Sequence, residues 1–340
     1  MAKVLFIHDG KPHYCHKKFA ESVNADFFDL NIENLGRKRA FTIFLKKVPR
    51  NYDIYFTEGL YSYAVLAKKL GLIKKSSKVI SLFSDPRLFQ LVDGKRFNPQ
   101  VNSVVKYPFF KRRIARYLIN SLDGAICVGQ FEAELLRKIS KNIPLETVYP
   151  FISKEREDLC LLKRKFQKKK NFIFIGFGPD YYYKGVDIMQ KCFNKLKDKN
   201  ISLEIVGDWD LFKKEKSNVI TWLGRQMDIE KYLKKSFMGI HLGRGEAFGV
   251  SILEMMMSGL PVLVSDLTGA REAVSRVSER LVVSINEEEI ISVVNYLSKL
   301  NPSQWKILSD KSRKVSKEFT EKKQVENFKN KFKKLSDKIF

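Results

Sequence analysis

Cysteine and histidine are scarce in this chain, and neither residue type is spaced as a metal site or a disulfide framework requires. The four cysteines are scattered without a CxxC pair, at Cys15, Cys127, Cys160 and Cys192. This pattern predicts reduced, mostly buried thiols of a cytosolic protein. His13 and His16 flank Cys15, but no fourth ligand is evident, so we expect packed or exposed histidines rather than a metal.

Long apolar runs are also missing. The most apolar stretch, residues 247–264, contains Glu254 and is interrupted by Gly259 and Pro261, so no membrane span is expected. The short apolar run near the start is cut off by polar residues without a small-residue cleavage site, and no signal peptide is expected. No internal repeat or recognisable nucleic-acid motif is evident. We therefore expect a cytoplasmic protein.

Acidic residues are outnumbered by basic ones. The 340 residues include 63 Lys and Arg against 38 Asp and Glu, which gives a formal net charge of +25. Such an excess predicts attraction to nucleic acid, an anionic membrane surface or a phosphorylated substrate. Hydrophobic residues make up 44% of the chain, enough for the packed cores of two ordinary domains.

Two stretches, residues 37–47 and 107–113, interleave basic and aromatic side chains. Both could lie on an anionic membrane with the rings inserted and the cations at the headgroups, where each Lys or Arg contributes about 1 kcal/mol. The alternative for each is an amphipathic helix that packs on a sheet and leaves its basic face in water.

The first half alternates short apolar strands with helical stretches, which predicts a parallel α/β sheet. The predicted strands cover residues 4–7, 27–30, 54–56, 79–83 and 124–128. Residues 86–106 show little periodicity and predict a long loop or lid.

The segment 241–274 predicts a strand, a loop, a helix, a glycine stop and a second strand. The loop, residues 243–249, lies at the carboxyl edge of its strand, where open α/β sheets bind ligands. The helix that begins near Val250 directs free N–H groups and its positive dipole end into that crevice, which suits a phosphate.

Two acids flank this helix start, Glu246 on the loop and Glu254 one turn inside the helix. Carboxylates accept hydrogen bonds from hydroxyl groups such as those of a ribose or a sugar. Two acids around a phosphate site therefore favour a nucleotide sugar over a free nucleotide. The alternative is an ordinary helix with two solvated acids.

The run EAFGVSILE followed by SGLPVLVSD resembles the donor-site signature of retaining family-4 glycosyltransferases with the GT-B fold. This resemblance implies an α/β chain of two Rossmann-like domains that face a cleft. Residues 1–152 would form the acceptor side and residues 153–315 the nucleotide-sugar domain, with a C-terminal helix over 316–340 crossing back to the first domain. The implied reaction moves a hexosyl group from a UDP or GDP sugar to a hydroxyl acceptor with retention and without a metal or other cofactor.

The resemblance also implies roles for single residues. Lys184 matches the lysine of a K-G-x-D motif that holds the donor diphosphate, whereas Phe177 stands where an arginine is usual. Arg244 is our candidate for the missing cation, because a guanidinium fork suits phosphate oxygens; a solvated arginine is the alternative.

Glu246 would hold the sugar hydroxyls and Glu254 the ribose, and no residue is assigned as a nucleophile. Catalysis by Lys184 and Glu246 would rest on stabilising the charge of the leaving diphosphate. The other residues implied on the donor side are Phe248, Gly249, Val250, Ser251, Gly176, Gly224, Arg225 and, in a loop after the first strand, Gly10.

On the acceptor side the resemblance implies Asp9, Ser84 and Asp85. For the last two, a helix cap before Pro86 is the alternative. We expect the acceptor to be an anionic membrane lipid or lipid-linked saccharide, reached by peripheral binding to the inner face of a membrane.

Other functional classes stay open on the sequence. They are a basic nucleic-acid- or membrane-binding protein with the same fold, a DNA-base glucosyltransferase, and an inactive relative in which Phe177 breaks the basic pair. The oligomeric state is not predicted.

Overall fold

The computed structural model describes residues 2–98, 103–177, 181–208 and 217–340. These residues form two compact units, one made of 2–98, 103–150 and 321–340, and one made of the described residues between 151 and 320. Each unit is built around its own parallel six-stranded sheet. The predicted α/β class is confirmed.

The strands of the first unit are β1 Val4–His8, β2 Asp26–Asp29, β3 Ile54–Glu58, β4 Lys78–Phe83, β5 Lys95–Asn98, β6 Ser103–Lys106, β7 Gly124–Val128 and β8 Leu145–Val148. The helices between them are α1 Tyr14–Ser22, α2 Ile32–Leu35, α3 Arg37–Lys47, α4 Tyr61–Lys69, α5 Arg87–Asp93, α6 Phe109–Ile119 and α7 Gln130–Ile139. The six-stranded sheet has the order β2-β1-β3-β4-β7-β8, in which all neighbours are parallel. Every residue of β1 and β7 is buried, as expected for apolar strands covered on both faces.

The prediction of a long loop over 86–106 is wrong for its described part. This segment contains α5 and the antiparallel pair β5–β6, while residues 99–102 lie outside the described residues. Leu88 and Leu91 bury one face of α5, and Phe97 is the buried position of β5. With so few apolar positions in each short element, periodicity is too weak to detect in the sequence.

The strands of the second unit are β9 Lys170–Ile175, β10 Ile201–Val206, β11 Ile220–Gly224, β12 Met238–His241, β13 Val262–Ser265 and β14 Val282–Val283. They form a sheet with the order β11-β10-β9-β12-β13-β14, again with parallel neighbours. Its helices are α8 Val186–Lys195, α9 Glu230–Lys235, α10 Val250–Met257, α11 Arg271–Ser275, α12 Glu287–Ser298 and α13 Pro302–Ser316, with short 3-10 helices at Lys154–Leu161 and Glu279–Leu281.

The last helix, α14 Glu321–Ile339, returns to the first unit. Phe328 stacks on Phe19 of α1 with ring centroids 4.4 Å apart, and Phe332 meets Phe56 of β3 at 5.5 Å. The predicted crossing back of a C-terminal helix is thereby confirmed. Because its apolar face is used in this core, α14 does not present that face to a membrane.

Among the described residues, no helix combines the length and the apolar character that crossing a bilayer requires.

Candidate functional site

The strand order of the second unit reverses between β9 and β12, so the chain leaves these adjacent strands in opposite directions along the sheet. A crevice forms at the carboxyl ends of two such strands, and ligands of open α/β sheets bind there. The loop that follows β12 and the start of α10 both lie at this switch point. The candidate site is therefore built from the segment singled out by its sequence.

Helix α10 begins at Val250, as predicted. Gly249 precedes it with φ +90°, a left-handed backbone conformation that residues other than glycine rarely adopt. The Ser251 hydroxyl donates a hydrogen bond to the carbonyl oxygen of Ile175, the last residue of β9, at 2.9 Å. This bond fixes the N-terminus of α10 beside the end of β9, where its free N–H groups are available to an anion.

A charged pair occupies the loops at the switch point. The Lys184 ammonium is hydrogen-bonded to the Glu246 carboxylate, and both side chains are largely but not fully buried. The two predicted catalytic residues, 62 positions apart in sequence, are thus brought into contact. A cation suited to phosphate and an acceptor suited to hydroxyls stand side by side.

His241, the last residue of β12, lies behind this pair with its Nε2 3.8 Å from the Glu246 carboxylate. Burial, together with the nearby Lys184 charge, lowers the pKa of His241 to about 4. The imidazole is therefore neutral at neutral pH, and it adds no charge beside Glu246.

The backbone of the site is packed too closely for side chains at two glycines. A Cβ on Gly185, which has φ +72°, would lie 1.8 Å from the carbonyl oxygen of Leu242, and one on Gly269 would lie 1.8 Å from that of Ala247. The loop carrying Lys184 and the loop carrying Glu246 are therefore held against each other by backbone contact.

Arg244 is largely buried rather than solvated. Its Nη1 donates to the Asp187 carboxylate at 2.7 Å and to the Tyr182 carbonyl oxygen at 2.9 Å, and its guanidinium lies over the Tyr182 ring. Asp187 belongs to the K-G-x-D motif, so Arg244 ties the loop after β12 to the start of α8. These bonds hold the guanidinium at the switch point, and its contact with a donor phosphate stays a prediction.

Glu254 lies one turn inside α10, and its carboxylate is mostly shielded from water. Burial raises the pKa of Glu254, and the Arg156 guanidinium, with its Nε 3.9 Å from the carboxylate, opposes this shift. A buried carboxylate with one distant cation can still accept hydrogen bonds from neutral hydroxyl groups.

A cation does accompany Phe177, the residue in place of the usual arginine. The Arg225 guanidinium lies 5.8 Å from the centre of the Phe177 ring, and its Nη1 is 3.9 Å from the Asp208 carboxylate. Arg225 follows Gly224, which ends β11 with φ +64°. Residues 178–180 of the loop after Phe177 lie outside the described residues.

The remaining predicted donor residues line the same edge or support it. Gly176 follows β9 and its N–H donates to Val206. Phe248 is buried and packs on Phe319 with ring centroids 5.6 Å apart, so it anchors the loop rather than facing solvent.

The predicted residues of the first unit are engaged in local hydrogen bonds. Asp9 accepts from the N–H of Ile32 at 2.6 Å, and the N–H of Gly10 donates to Asp29 at 2.8 Å. Asp85 accepts from the backbone N–H of Arg87 at 2.9 Å, but α5 begins after Pro86 without a side-chain cap, so this bond belongs to the turn before the helix. Ser84 is half-buried.

The histidines near Cys15 do not stand in a metal cluster. The His16 ring is hydrogen-bonded to Glu58, the last residue of β3, and among the described residues no group of three or more His, Cys, Asp or Glu side chains is placed to hold a metal ion.

Sequence reasoning missed three residues of the site: His241, Asp187 and Arg156. Two of them stood inside quoted motifs, since His241 opens the central segment and Asp187 closes K-G-x-D. Arg156 is almost 100 positions from Glu254, and no sequence signal connects the two.

Part of the chain matches a protein family, and part resembles a curated protein. The family model "Glycosyl transferases group 1" matches residues 161–315. The N,N'-diacetylbacillosaminyl-diphospho-undecaprenol alpha-1,3-N-acetylgalactosaminyltransferase of Campylobacter jejuni is 26% identical over 268 residues, which cover 70% of this chain. The chain spans 66% of the length of this curated relative.

Two solved structures resemble the whole chain. HepE of Anabaena, in complex with UDP and glucose, has a TM-score of 0.69 at 16% identity, with 98% of this chain and 100% of that chain covered. Sucrose-phosphate synthase from Thermosynechococcus elongatus has a TM-score of 0.70 at 13% identity, with 99% and 100% covered. The chain thus has the fold of GT-B glycosyltransferases, and its residues 161–315 match the group 1 glycosyltransferase model.

Proposed function

We propose that this protein transfers a sugar from a nucleoside-diphosphate sugar to a hydroxyl acceptor with retention of anomeric configuration. The observation that carries the proposal is the Lys184–Glu246 pair at the β9/β12 switch point, beside the N-terminus of α10. The donor would bind residues 153–315, the acceptor would bind residues 1–152, and the segment 316–340 would complete the acceptor domain.

Each group of the site has a task in this reaction. The Lys184 ammonium and the free N–H groups of α10 would stabilise the charge that develops on the leaving diphosphate, where preorganised donors act most strongly. Glu246 would accept hydrogen bonds from the sugar hydroxyls, and Glu254 from the ribose diol. Arg244 would hold the Lys184 and Glu246 loops in register through Asp187.

Arg225 would supply the second cation that Phe177 cannot provide. Its guanidinium is largely exposed and lies against the Phe177 ring, from which a planar fork can reach phosphate oxygens. This arrangement counts against an inactive relative. Alanine at Arg225 should lower donor affinity, whereas alanine at Lys231, a cation of α9 in contact with Tyr232, should leave it unchanged.

We infer a uridine diphosphate donor and a lipid-linked saccharide acceptor. HepE, which has the same fold, was solved with UDP and glucose, and the Campylobacter relative is named for a diphospho-undecaprenol acceptor. The reaction would then take place at the cytoplasmic face of a membrane. Because Lys184 and helix amides carry the diphosphate charge, turnover should survive a metal chelator.

A thermal-shift screen tests the donor site directly. The purified chain is melted with UDP, GDP, ADP, dTDP and their common sugars, because a ligand of the folded state raises the melting temperature. A rise with UDP and its sugars that is lost in Glu254→Ala supports the proposal. Nuclear magnetic resonance of the product then assigns the anomeric configuration. The absence of a rise with every nucleotide contradicts the proposed function.

A further inference from the structure

Helix α6 carries two phenylalanines that its own unit leaves in water. Phe109 is 72% exposed and Phe110 is 73% exposed, and one face of the helix continues with Ile114 at 43% and Tyr117 at 60%. Phe110, Ile114 and Tyr117 are spaced as i, i+4 and i+7, which places them on one stripe of the helix. Exposed apolar side chains grouped in this way mark an interaction surface.

The other side of α6 accounts for the helix's own packing. Leu118 and Ile119 are buried, and the Arg112 guanidinium donates to the carbonyl oxygen of Leu91 at 3.0 Å. The stability of the unit therefore does not depend on Phe109 or Phe110. The exposure of these two rings is therefore not explained by packing within the unit.

Basic side chains surround the exposed rings. Lys111, Arg113 and Arg116 are exposed on the same helix, with the Arg113 guanidinium 6.0 Å from the centre of the Phe109 ring. Residues 103–122 contain no Asp or Glu, so no carboxylate of this stretch opposes their charge. The α6 outer face is defined here as these three cations with Phe109, Phe110, Ile114 and Tyr117.

Helix α3 provides an internal contrast, because it has a similar composition. Its Phe44 is fully buried and meets Phe28 and Tyr63 with ring centroids 5.8 and 5.7 Å apart, while Phe41 meets Tyr63 at 5.4 Å. The exposed residues that remain on α3 are mainly cations. Charge and apolar surface coincide on α6 and are separated on α3.

We propose that the α6 outer face docks the protein on an anionic lipid membrane, with Phe109 and Phe110 inserted among the acyl chains and the cations at the headgroups. A protruding apolar stripe bordered by cations is the arrangement of helices that lie in the membrane interface. Attraction to anionic headgroups accounts for the cations but not for the exposed rings, and insertion into acyl chains accounts for the rings but not for the cations. The proposal extends the membrane-side location proposed above, but it does not require donor or acceptor binding.

Vesicle flotation of the full chain tests this surface without nucleotide or acceptor. We expect binding to vesicles that contain phosphatidylglycerol, and little binding to vesicles of phosphatidylcholine alone. The double variant Phe109→Ser/Phe110→Ser keeps every charge and should bind at least about 10-fold more weakly, because two rings no longer insert. An unchanged melting temperature shows that the variant is folded.

A matched pair of charge variants separates the α6 outer face from the overall charge. Lys111→Ala/Arg113→Ala removes two cations from α6 and should weaken binding by about 10- to 30-fold at low salt. Lys46→Ala/Lys47→Ala removes two exposed cations from α3 and should change it less than about 3-fold. Equal losses in the two pairs would assign binding to net charge and overturn the proposal.

Two further outcomes would also overturn it. One is a wild-type chain that does not float with anionic vesicles at low salt. The other is a Phe109→Ser/Phe110→Ser variant that keeps full vesicle binding but loses binding to a single-stranded oligonucleotide, since rings bordered by cations can also stack on bases. Donor binding by the thermal-shift screen is scored separately, so its failure would not be mistaken for failure of membrane docking.

Discussion

The two sheets reverse their strand order at comparable places, yet their switch points carry different chemistry. In the first unit the reversal falls between β1 and β3, and in the second between β9 and β12. The carboxyl groups near the first switch point are occupied by local partners: Asp9 by a backbone N–H, Asp29 by the N–H of Gly10, and Glu58 by His16. These bonds stabilise loops.

The second switch point combines a cation, a helix N-terminus and two acids, of which Glu246 is paired with Lys184 and Glu254 has only a distant cation. Lys184 contacts Glu246, Ser251 fixes the start of α10, and the half-buried Glu254 lies one turn farther along. Topology therefore determines where a crevice lies, whereas the side chains at the strand ends determine which ligand it suits. The five predictions below test this difference between the two units, from the largest expected effect to the smallest.

Loss of the Lys184 ammonium should have the largest effect. In Lys184→Ala we expect turnover to fall by about 10²- to 10³-fold, because one preorganised donor to the leaving group is removed. Steady-state transfer with a UDP sugar measures the change. Lys195→Ala is the matched control, because Lys195, the last residue of α8, also pairs with a glutamate, Glu287 of α12. A comparable loss in both variants would refute the role of Lys184.

Replacing a glycine near the switch point by alanine should cost more stability in the second unit than in the first. Gly185→Ala places a Cβ 1.8 Å from the Leu242 carbonyl oxygen, whereas Gly59→Ala after β3 places one 3.1 Å from the movable Arg87 guanidinium. Both have positive φ, so conformational strain of about 1 kcal/mol is common to them. We expect a total cost of about 2–4 kcal/mol for Gly185→Ala. Thermal unfolding compares the two, and equal shifts would contradict the backbone clash.

The Glu254 carboxylate should strengthen donor binding and lower the stability of the folded chain without donor. Glu254→Ala should weaken UDP-sugar binding by about 1.5–3 kcal/mol for each hydrogen bond lost to the ribose, roughly 10- to 100-fold in the dissociation constant for one bond. Isothermal titration measures this change. An unchanged dissociation constant would contradict the ribose role.

The same carboxylate should lower stability at neutral pH when no donor is bound. Burial raises the pKa of Glu254 above its ordinary 4.5, so the folded chain binds the proton more tightly than the unfolded chain. Glu254→Gln should therefore melt at a higher temperature than wild type at pH 7. The difference should shrink as pH falls through the raised pKa and vanish below about 4.5, where both states are protonated. A lower melting temperature at pH 7 would contradict this sign.

Glu58, the corresponding half-buried acid of the first unit, should change stability with pH in the opposite direction to Glu254, and with the smallest effect. Burial alone would raise its pKa, but the hydrogen bond and charge of His16 outweigh burial and lower the pKa below 4.5. Its contribution to stability is present above pH 4.5 and is lost as pH falls through the lowered pKa. Glu58→Gln should cost about 1 kcal/mol at pH 7 and leave donor affinity unchanged. A weaker UDP-sugar affinity would place Glu58 in the donor site.

Much of the second unit could be predicted because its signals are local. Gly249 before an apolar helix, the glycine at 259 and the buried strand after it mark α10 and β13 within a few residues. Lys184 and Glu246 could be assigned by resemblance because the spacing of their motifs is short. The partner of Arg244 could not be predicted, because Asp187 lies 57 positions away. A guanidinium can bind either a phosphate or a carboxylate, so the residue type does not tell which one it meets.

The parallel α/β class, the start of α10 and the places of Glu246 on the loop and Glu254 in the helix could be predicted from the sequence, because periodicity, glycine positions and helix geometry act over a few residues. The contact of Lys184 with Glu246, the placement of Arg225 beside Phe177, and the exposure of the rings of α6 rather than those of α3 could not. Whether an apolar or charged side chain lies in the core, against a partner or in solvent depends on neighbours that are distant in sequence. Phe44 meets Phe28 and Tyr63, while Phe109 and Phe110 remain in water.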